Sequence, residues 1–158
     1  MSGVNETVVE RKSDRELVVT RQFNAPPEIV FEAWSRPEIF QRWWVPKALG
    51  VPLRACEMDV RTGGGYRLEF GLDAANAMAF FGKYTDVVPP SRIVWTNEES
   101  GEITVTTVTF KDLGGKTLLT LSELYPNKEG CDEALQGSAA GLPIQFEQLD
   151  DLLADRAG

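Results

Sequence analysis

Proton transfer in this chain falls to carboxylates, tyrosines and basic side chains, because none of its 158 residues is histidine. Ser-His-Asp and Cys-His pairs, histidine zinc ligands and an imidazole general base are thereby excluded. Glu57, Asp59, Glu69 and Asp86 fall in segments of strand character, where a charge is ordinarily a solvated outer-face residue, so none is assigned a catalytic role. Gly63-Gly64-Gly65 lacks both the GxGxxG order between strand and helix and the GK[ST] ending of a phosphate loop. A tight turn between strands, with a bulge and with Asp59-Val60-Arg61 bracing it, is the expected role. Cys56 and Cys131 form no CxxC pair and read as two free thiols. No metal and no cofactor is expected.

Charge narrows the partners. The formal net charge of −8 and the lack of a Lys/Arg cluster argue against nucleic acid and against an anionic membrane surface. No segment is apolar enough to insert in a bilayer. The first fifteen residues are polar, which predicts a loose N-terminal arm rather than a signal peptide, followed by a single domain over residues 16–158. A cytoplasmic location is expected.

The elements that would position any site begin at Gln22–Pro46, where two short amphipathic helices end in paired tryptophans. Asn24 precedes Pro26 and Pro27, and proline is tolerated in a first helical turn because its missing N–H would be unpaired there. Ile29, Val30, Ala33 and Trp34 share one face. Ser35-Arg36-Pro37-Glu38 predicts a capping box for the second helix, whose Ile39, Phe40, Trp43 and Trp44 repeat the pattern until Pro46 stops it. Strands are predicted at Glu16–Phe23, Val51–Val60, Tyr66–Phe70, Met78–Val88, Ile93–Thr96, Ile103–Phe110 and Thr117–Leu124. From Cys131 the period turns helical, and Leu142, Phe146, Leu149, Leu152 and Leu153 make one stripe, with Gly141 and Pro143 expected to kink or divide it.

This order predicts an α+β fold, with a curved antiparallel sheet around one long C-terminal helix and two short helices after the first strand. The wedge between sheet and helix is the candidate cavity. Trp34, Tyr66, Leu68, Phe70, Phe81, Tyr84, Trp95, Thr104, Thr106, Leu142 and Phe146 are its expected lining. A homodimer is plausible for a sheet that leaves edges exposed, although no residue pattern fixes an interface.

FNAPPEIVFEAWSRPEIFQRWWVPK, CEMDVRTGGGYRLEF, FFGKYTDVVPPSRIVWT and the ending TVTTVTF…KTLLTLSELYP…GLPIQFEQLDDLLA resemble the homologues of the activator of the 90-kDa heat-shock protein ATPase, within the START-like or SRPBCC superfamily. The resemblance spans Glu16 to Ala154. Its most specific parts are the paired Trp43-Trp44, MD-x-R-x-GG at Met58–Gly64 and G-x-Y-x-x-V-x-PP-x-R at Gly82–Arg92. It implies a helix-grip fold and binding of a small hydrophobic ligand, lipid-like or polyketide-like, between sheet and long helix. The alternatives it implies are a co-chaperone role with a chaperone partner, and a cyclase- or hydrolase-type enzyme using the same cavity. The chain is expected to have no room for the separate N-terminal domain with which eukaryotic activators engage the chaperone. Members commonly carry tryptophan after the glycine of the last helix, where this sequence has Leu142 and Pro143. The smaller side chain is expected to enlarge the cavity or shift the helix.

Overall fold

Val8–Arg11 (β1) opens the chain's sheet, pairing antiparallel with Glu16–Phe23 (β2) so that Val8 stands opposite Thr20 and Arg11 opposite Leu17. The computed structural model describes residues 7–44, 53–71, 75, 78–98, 101–136 and 138–157. Part of the segment expected to be a loose arm is therefore a strand, and residues 1–6 of that arm lie outside the described residues. Adjacent β-branched Val8 and Val9 favour extended backbone. Arg11 also anchors the strand, its guanidinium lying 2.7 Å from the Asp132 carboxylate.

Along β2 the side chains alternate, and Leu17, Val19, Arg21 and Phe23 are all buried. The helices α1 (Pro27–Ser35) and α2 (Pro37–Phe40) follow. Each has a proline in its first turn, where the missing N–H costs nothing. The capping box does not form. Arg36 occupies the N-cap of α2 without a side-chain cap, and its Nε donates to the Glu38 carboxylate at 2.7 Å, while that carboxylate bonds the backbone N–H of Glu38 itself rather than that of the cap. Regular helix ends at Phe40, and Trp43 and Trp44 follow in a turn whose N–H groups donate to the Phe40 carbonyl at 3.3 and 3.1 Å. Pro46, the expected stop, lies outside the described residues, as do Val51 and Pro52 of the next expected strand.

Six strands complete the sheet: β3 (Leu53–Met58), β4 (Gly65–Phe70), β5 (Met78–Val88), β6 (Arg92–Asn97), β7 (Thr104–Asp112) and β8 (Thr117–Leu124). The eight strands run in the spatial order β1-β2-β8-β7-β6-β5-β4-β3, every neighbouring pair antiparallel. The helical C-terminal region comprises α3 (Lys128–Gln136) and α4 (Ser138–Ala157). Gly141 and Pro143, expected to kink or divide the helical stretch, both lie within α4.

From α4, Leu142, Phe146, Leu149, Leu152 and Leu153 enter the same core as Val19, Phe23, Val108, Leu119 and Leu121 of the sheet. This stripe is the helix's apolar face, and its burial is what holds helix to sheet. Gln148 Nε2 donates to the Trp43 carbonyl at 2.8 Å, and Gln145 donates to the Trp44 carbonyl, so α4 also grips the turn after α2. Curved antiparallel sheet, long C-terminal helix and two short helices together make the α+β helix-grip fold.

Candidate functional site on the concave face

Residues directly opposite one another on antiparallel strands share a face. Tyr84 pairs with Trp95, Trp95 with Thr106, Thr106 with Glu123 and Glu123 with Leu17, which sets one row across five strands of the inner face. Two hydroxyls, an indole and a carboxyl therefore lie in line beneath the helices. Tyr66, on β4, adds a third hydroxyl, with its ring 5.6 Å from that of Tyr84.

The strands around Tyr84 are fixed by backbone. At Gly82, opposite Tyr66, a β-carbon would stand 1.7 Å from the Thr96 carbonyl oxygen, so only glycine lets β5 pass this close to β6. The register then shifts between Tyr84 and Asp86, the signature of a bulge. The Tyr66 hydroxyl donates to the Thr96 carbonyl at 2.8 Å and also meets the Asn97 side-chain oxygen. Burial pushes the Tyr84 phenol well above its ordinary range, with Cys56 and Asp59 adding to the effect, so it remains a neutral hydroxyl.

Glu123 is the member of the row that sequence reasoning missed. It is partly buried, and Thr106, itself 1% exposed, donates its hydroxyl to Oε2 at 3.4 Å. Burial pushes this carboxyl up from the usual glutamate value, against the opposing influence of the Tyr125 and Thr106 hydroxyls. A charge removed from water without a cation is costly, which is the cause of this upward direction. The signal was present in TLLTLSEL, where Glu123 continues the alternate positions of Thr117, Leu119 and Leu121.

Above the row, Trp34 of α1 is 2% exposed. Its ring centroid lies 4.8 Å from Trp43, 5.8 Å from Trp95 and 6.2 Å from both Phe110 and Phe146. Its Nε1 is buried without a hydrogen-bond partner. The neighbouring Trp43 differs, since its Nε1 donates to the Ala33 carbonyl at 2.9 Å.

Of the expected lining, Trp34, Leu68, Tyr84, Thr106, Leu142 and Phe146 are buried, while Tyr66, Phe70, Trp95 and Thr104 are partly buried. Phe81 is not on this face. It stands opposite Arg67, 40% exposed, and Phe80 points inward in its place, paired with Leu68 and 5.4 Å from the Phe70 ring. Phe81 lies three positions from Tyr84, an odd number, whereas Phe80 lies four away. Phe70 and Phe80 thus form an apolar end of the face, apart from the row at Thr106 and Glu123.

The strand carboxylates sit elsewhere. Asp59 pairs with Arg61 at 2.9 Å, Glu69 lies 3.7 Å from Arg67, Asp86 pairs with Arg92, and Glu57 is exposed. A shallow groove of about 380 Å³ opens at the β3–β4 hairpin, lined by Glu57, Met58, Asp59, Gly65, Tyr66 and Arg67. Among the described residues, no three carboxylate or thiol side chains converge as metal ligands.

This architecture and its sequence match a known family. The family model described as Activator of Hsp90 ATPase homolog 1-like protein matches residues 24–154. The chain belongs to this family. A crystal structure of a Rhodobacter sphaeroides protein is similar at 23% identity and TM-score 0.86, covering 95% of this chain and 99% of that one. Protein Ms6760 from Mycobacterium smegmatis is similar at 22% identity and TM-score 0.81, covering 96% and 99%. The AHSA1-like protein from Aeromonas hydrophila, solved by NMR, is similar at 17% identity and TM-score 0.69, covering 85% and 93%. At such identities these structures share the fold. No curated protein matches the chain.

The two motifs most specific to the AHSA1-like resemblance meet at one residue. Gly63 N–H donates to the Tyr84 carbonyl at 2.9 Å, and Tyr84 N–H donates to the Gly64 carbonyl at 2.8 Å. A β-carbon at Gly64 would lie 2.1 Å from the Asp59 carbonyl oxygen, so Met58–Gly64 is a fitted turn that holds Tyr84 in place. Both motifs are thus structural supports of the concave face. No helix among the described residues is long and apolar enough to cross a membrane.

Proposed function

We propose that this START-like domain binds a small, largely apolar molecule between the concave face of its sheet and α4. The observation that carries the reading is Trp34, a buried indole whose N–H has no acceptor while Trp43, Trp95, Phe110 and Phe146 pack around its ring. A buried donor left unpaired costs about 1–3 kcal/mol, and such groups are uncommon in folded proteins. A ligand acceptor in the wedge would satisfy it. Apolar walls with a few convergent polar groups are also the usual composition of small-molecule sites, and Trp95, Phe110 and Phe146 with Tyr84 and Thr106 supply that composition.

Native mass spectrometry of gently purified protein tests the reading, with an additional small mass that denaturation releases as the expected result. Bare protein alone, together with no rise in unfolding temperature across a library of apolar compounds, would count against it.

A further inference from the structure

Along each strand, the residues between the inward-facing ones point the other way, to the convex face. There Thr20, Thr120 and Thr109 stand in one row across β2, β8 and β7, and Val18, Ser122, Thr107 and Val94 make the next as far as β6. Leu124 and Val105 begin a third row. Leu124 is 43% exposed and the others are partly exposed. Among the described residues, none of the apolar members of these rows joins the hydrophobic core. Charged residues make up 25% of the chain and its net charge is −8, yet these positions carry no charge. Charge returns only at the borders. Glu10 and Glu16 stand opposite Val18 and Leu124 on the β1–β2 side, and Lys111 of β7 and Arg92 of β6, the latter bridged to Asp86, stand on the other.

We propose that this convex face is a self-complementary interface on which a second copy of the chain packs, sheet against sheet. The uncharged block lets two copies of net charge −8 meet without burying an unpaired charge. A basic protein partner would seek carboxylates, and the block offers none. With a two-fold axis lying in the interface along β8, the β1–β2 border of each copy falls over the β6–β7 border of the other, acid toward base. The hydroxyls of Thr20, Thr107, Thr109, Thr120 and Ser122 both donate and accept, so each can pair with the same groups of an identical face. Val18, Val94, Val105 and Leu124 supply the apolar surface, and sheets that pack face to face in this way keep their strands roughly aligned. From β1 to β6 the face spans about 24 Å by about 20 Å at the usual strand spacing and rise, roughly 500 Å² per copy. Two such faces together come to about 1,000 Å², the lower bound for a specific interface, so the dimer is a weak one.

Sedimentation equilibrium of the full chain from about 1 to about 500 µM tests this, a range that brackets the Kd of about 10 µM expected for an interface of this size. Thr120→Glu and Thr120→Lys each set like charges against one another near the axis and should weaken the dimer at least about thirtyfold. An equimolar mixture of the two variants should associate at least as well as wild type. Leu135→Lys, on α3 and 41% exposed in the monomer, adds the same charge away from the face and should keep the wild-type Kd. Thermal unfolding identifies a variant that fails to fold, and recovery in the mixture shows that both variants present an intact face. A wild-type chain that stays monomeric throughout overturns the proposal. Dimers unchanged in Thr120→Glu overturn the assignment to this face, and loss of the dimer in both variants without recovery in the mixture overturns the two-fold arrangement. The ligand reading concerns the opposite face and is tested by its own bound mass, so either can fail alone.

Discussion

Trp43 donates its indole N–H to the carbonyl of Ala33 at 2.9 Å, so a residue from the turn after α2 satisfies a backbone acceptor in the last turn of α1. The ring is fully buried and packs edge-on against Trp34 at 4.8 Å. Two effects are therefore separable by substitution. Trp43→Ala empties a large core volume and should cost about 3–5 kcal/mol. Trp43→Phe keeps most of the packing but strands the carbonyl, and should cost about 1–3 kcal/mol. Urea denaturation measures both, and a Trp43→Ala variant of near-native stability would show that the ring does not carry this part of the core.

Arg21 reaches from the concave face of β2 to Asp150 of α4, with Nη2 at 3.1 Å from Oδ2, and is 6% exposed. Its guanidinium also donates to the Thr7 hydroxyl and lies over the Phe23 ring. Breaking a buried pair from one side leaves an uncompensated charge, which costs about 3–5 kcal/mol when both partners are dry. Asp150 is 27% exposed, so Asp150→Ala should cost less, about 2–3 kcal/mol after screening. The paired change Arg21→Met with Asp150→Leu should recover part of that loss, because it removes both charges. A double-mutant cycle with no coupling between the two positions would contradict this.

Glu123 makes stability depend on pH in a definite direction. Its folded pKa lies above the ordinary 4.5, so the folded state binds this proton more tightly than the unfolded chain does. The contribution is fully present below the unfolded value and is lost as pH rises through the folded one. Glu123→Gln removes the titration, and the variant should gain on wild type from acid toward neutral pH. Glu38 and Asp132, whose carboxyls are held down, act in the opposite direction but are common to both proteins. Unfolding temperatures at several pH values check this. A difference between the two proteins that stays constant across the range would mean Glu123 is not perturbed.

Much of the fold was legible because burial follows the strand period: Leu17, Val19 and Phe23, then Thr106, Val108 and Phe110, then Leu119 and Leu121, each alternate in sequence and meet across the sheet. What escaped depends on contacts distant in sequence. Phe80-Phe81 carries no parity of its own, and it is the close passage at Gly82 together with Tyr84 that turns Phe80 inward. Glu123 continued the inward alternation of β8 as a charged type, and only the pairing with Thr106 and Leu17 gives it a place on the concave face. Likewise β1 depends on pairing with β2 and on Asp132 from α3, so a polar segment read alone resembles an arm. Ser35 and Glu38 fitted the spacing of a capping box, but Arg36 between them competes for the carboxylate.

Gly82 and Gly63 provide a matched comparison of two different demands for glycine. At Gly63 the backbone has φ +91° and nothing lies within 4 Å of the place a methyl would take, so Gly63→Ala should cost only the left-handed conformational penalty, about 1–2 kcal/mol. At Gly82 the methyl would fall 1.7 Å from the Thr96 carbonyl oxygen and 2.7 Å from its carbon, both backbone atoms that cannot rotate away. Relief requires β5 and β6 to separate where Tyr66 bonds to Thr96, so Gly82→Ala should cost about 3 kcal/mol or more, the upper end for overpacking. It should also loosen Tyr66 and Tyr84, seen as a loss of near-ultraviolet dichroism that Gly63→Ala does not show. Equal destabilisation of the two variants by urea denaturation would mean that the close approach of β5 to β6 is not what requires glycine in the Gly82–Arg92 motif.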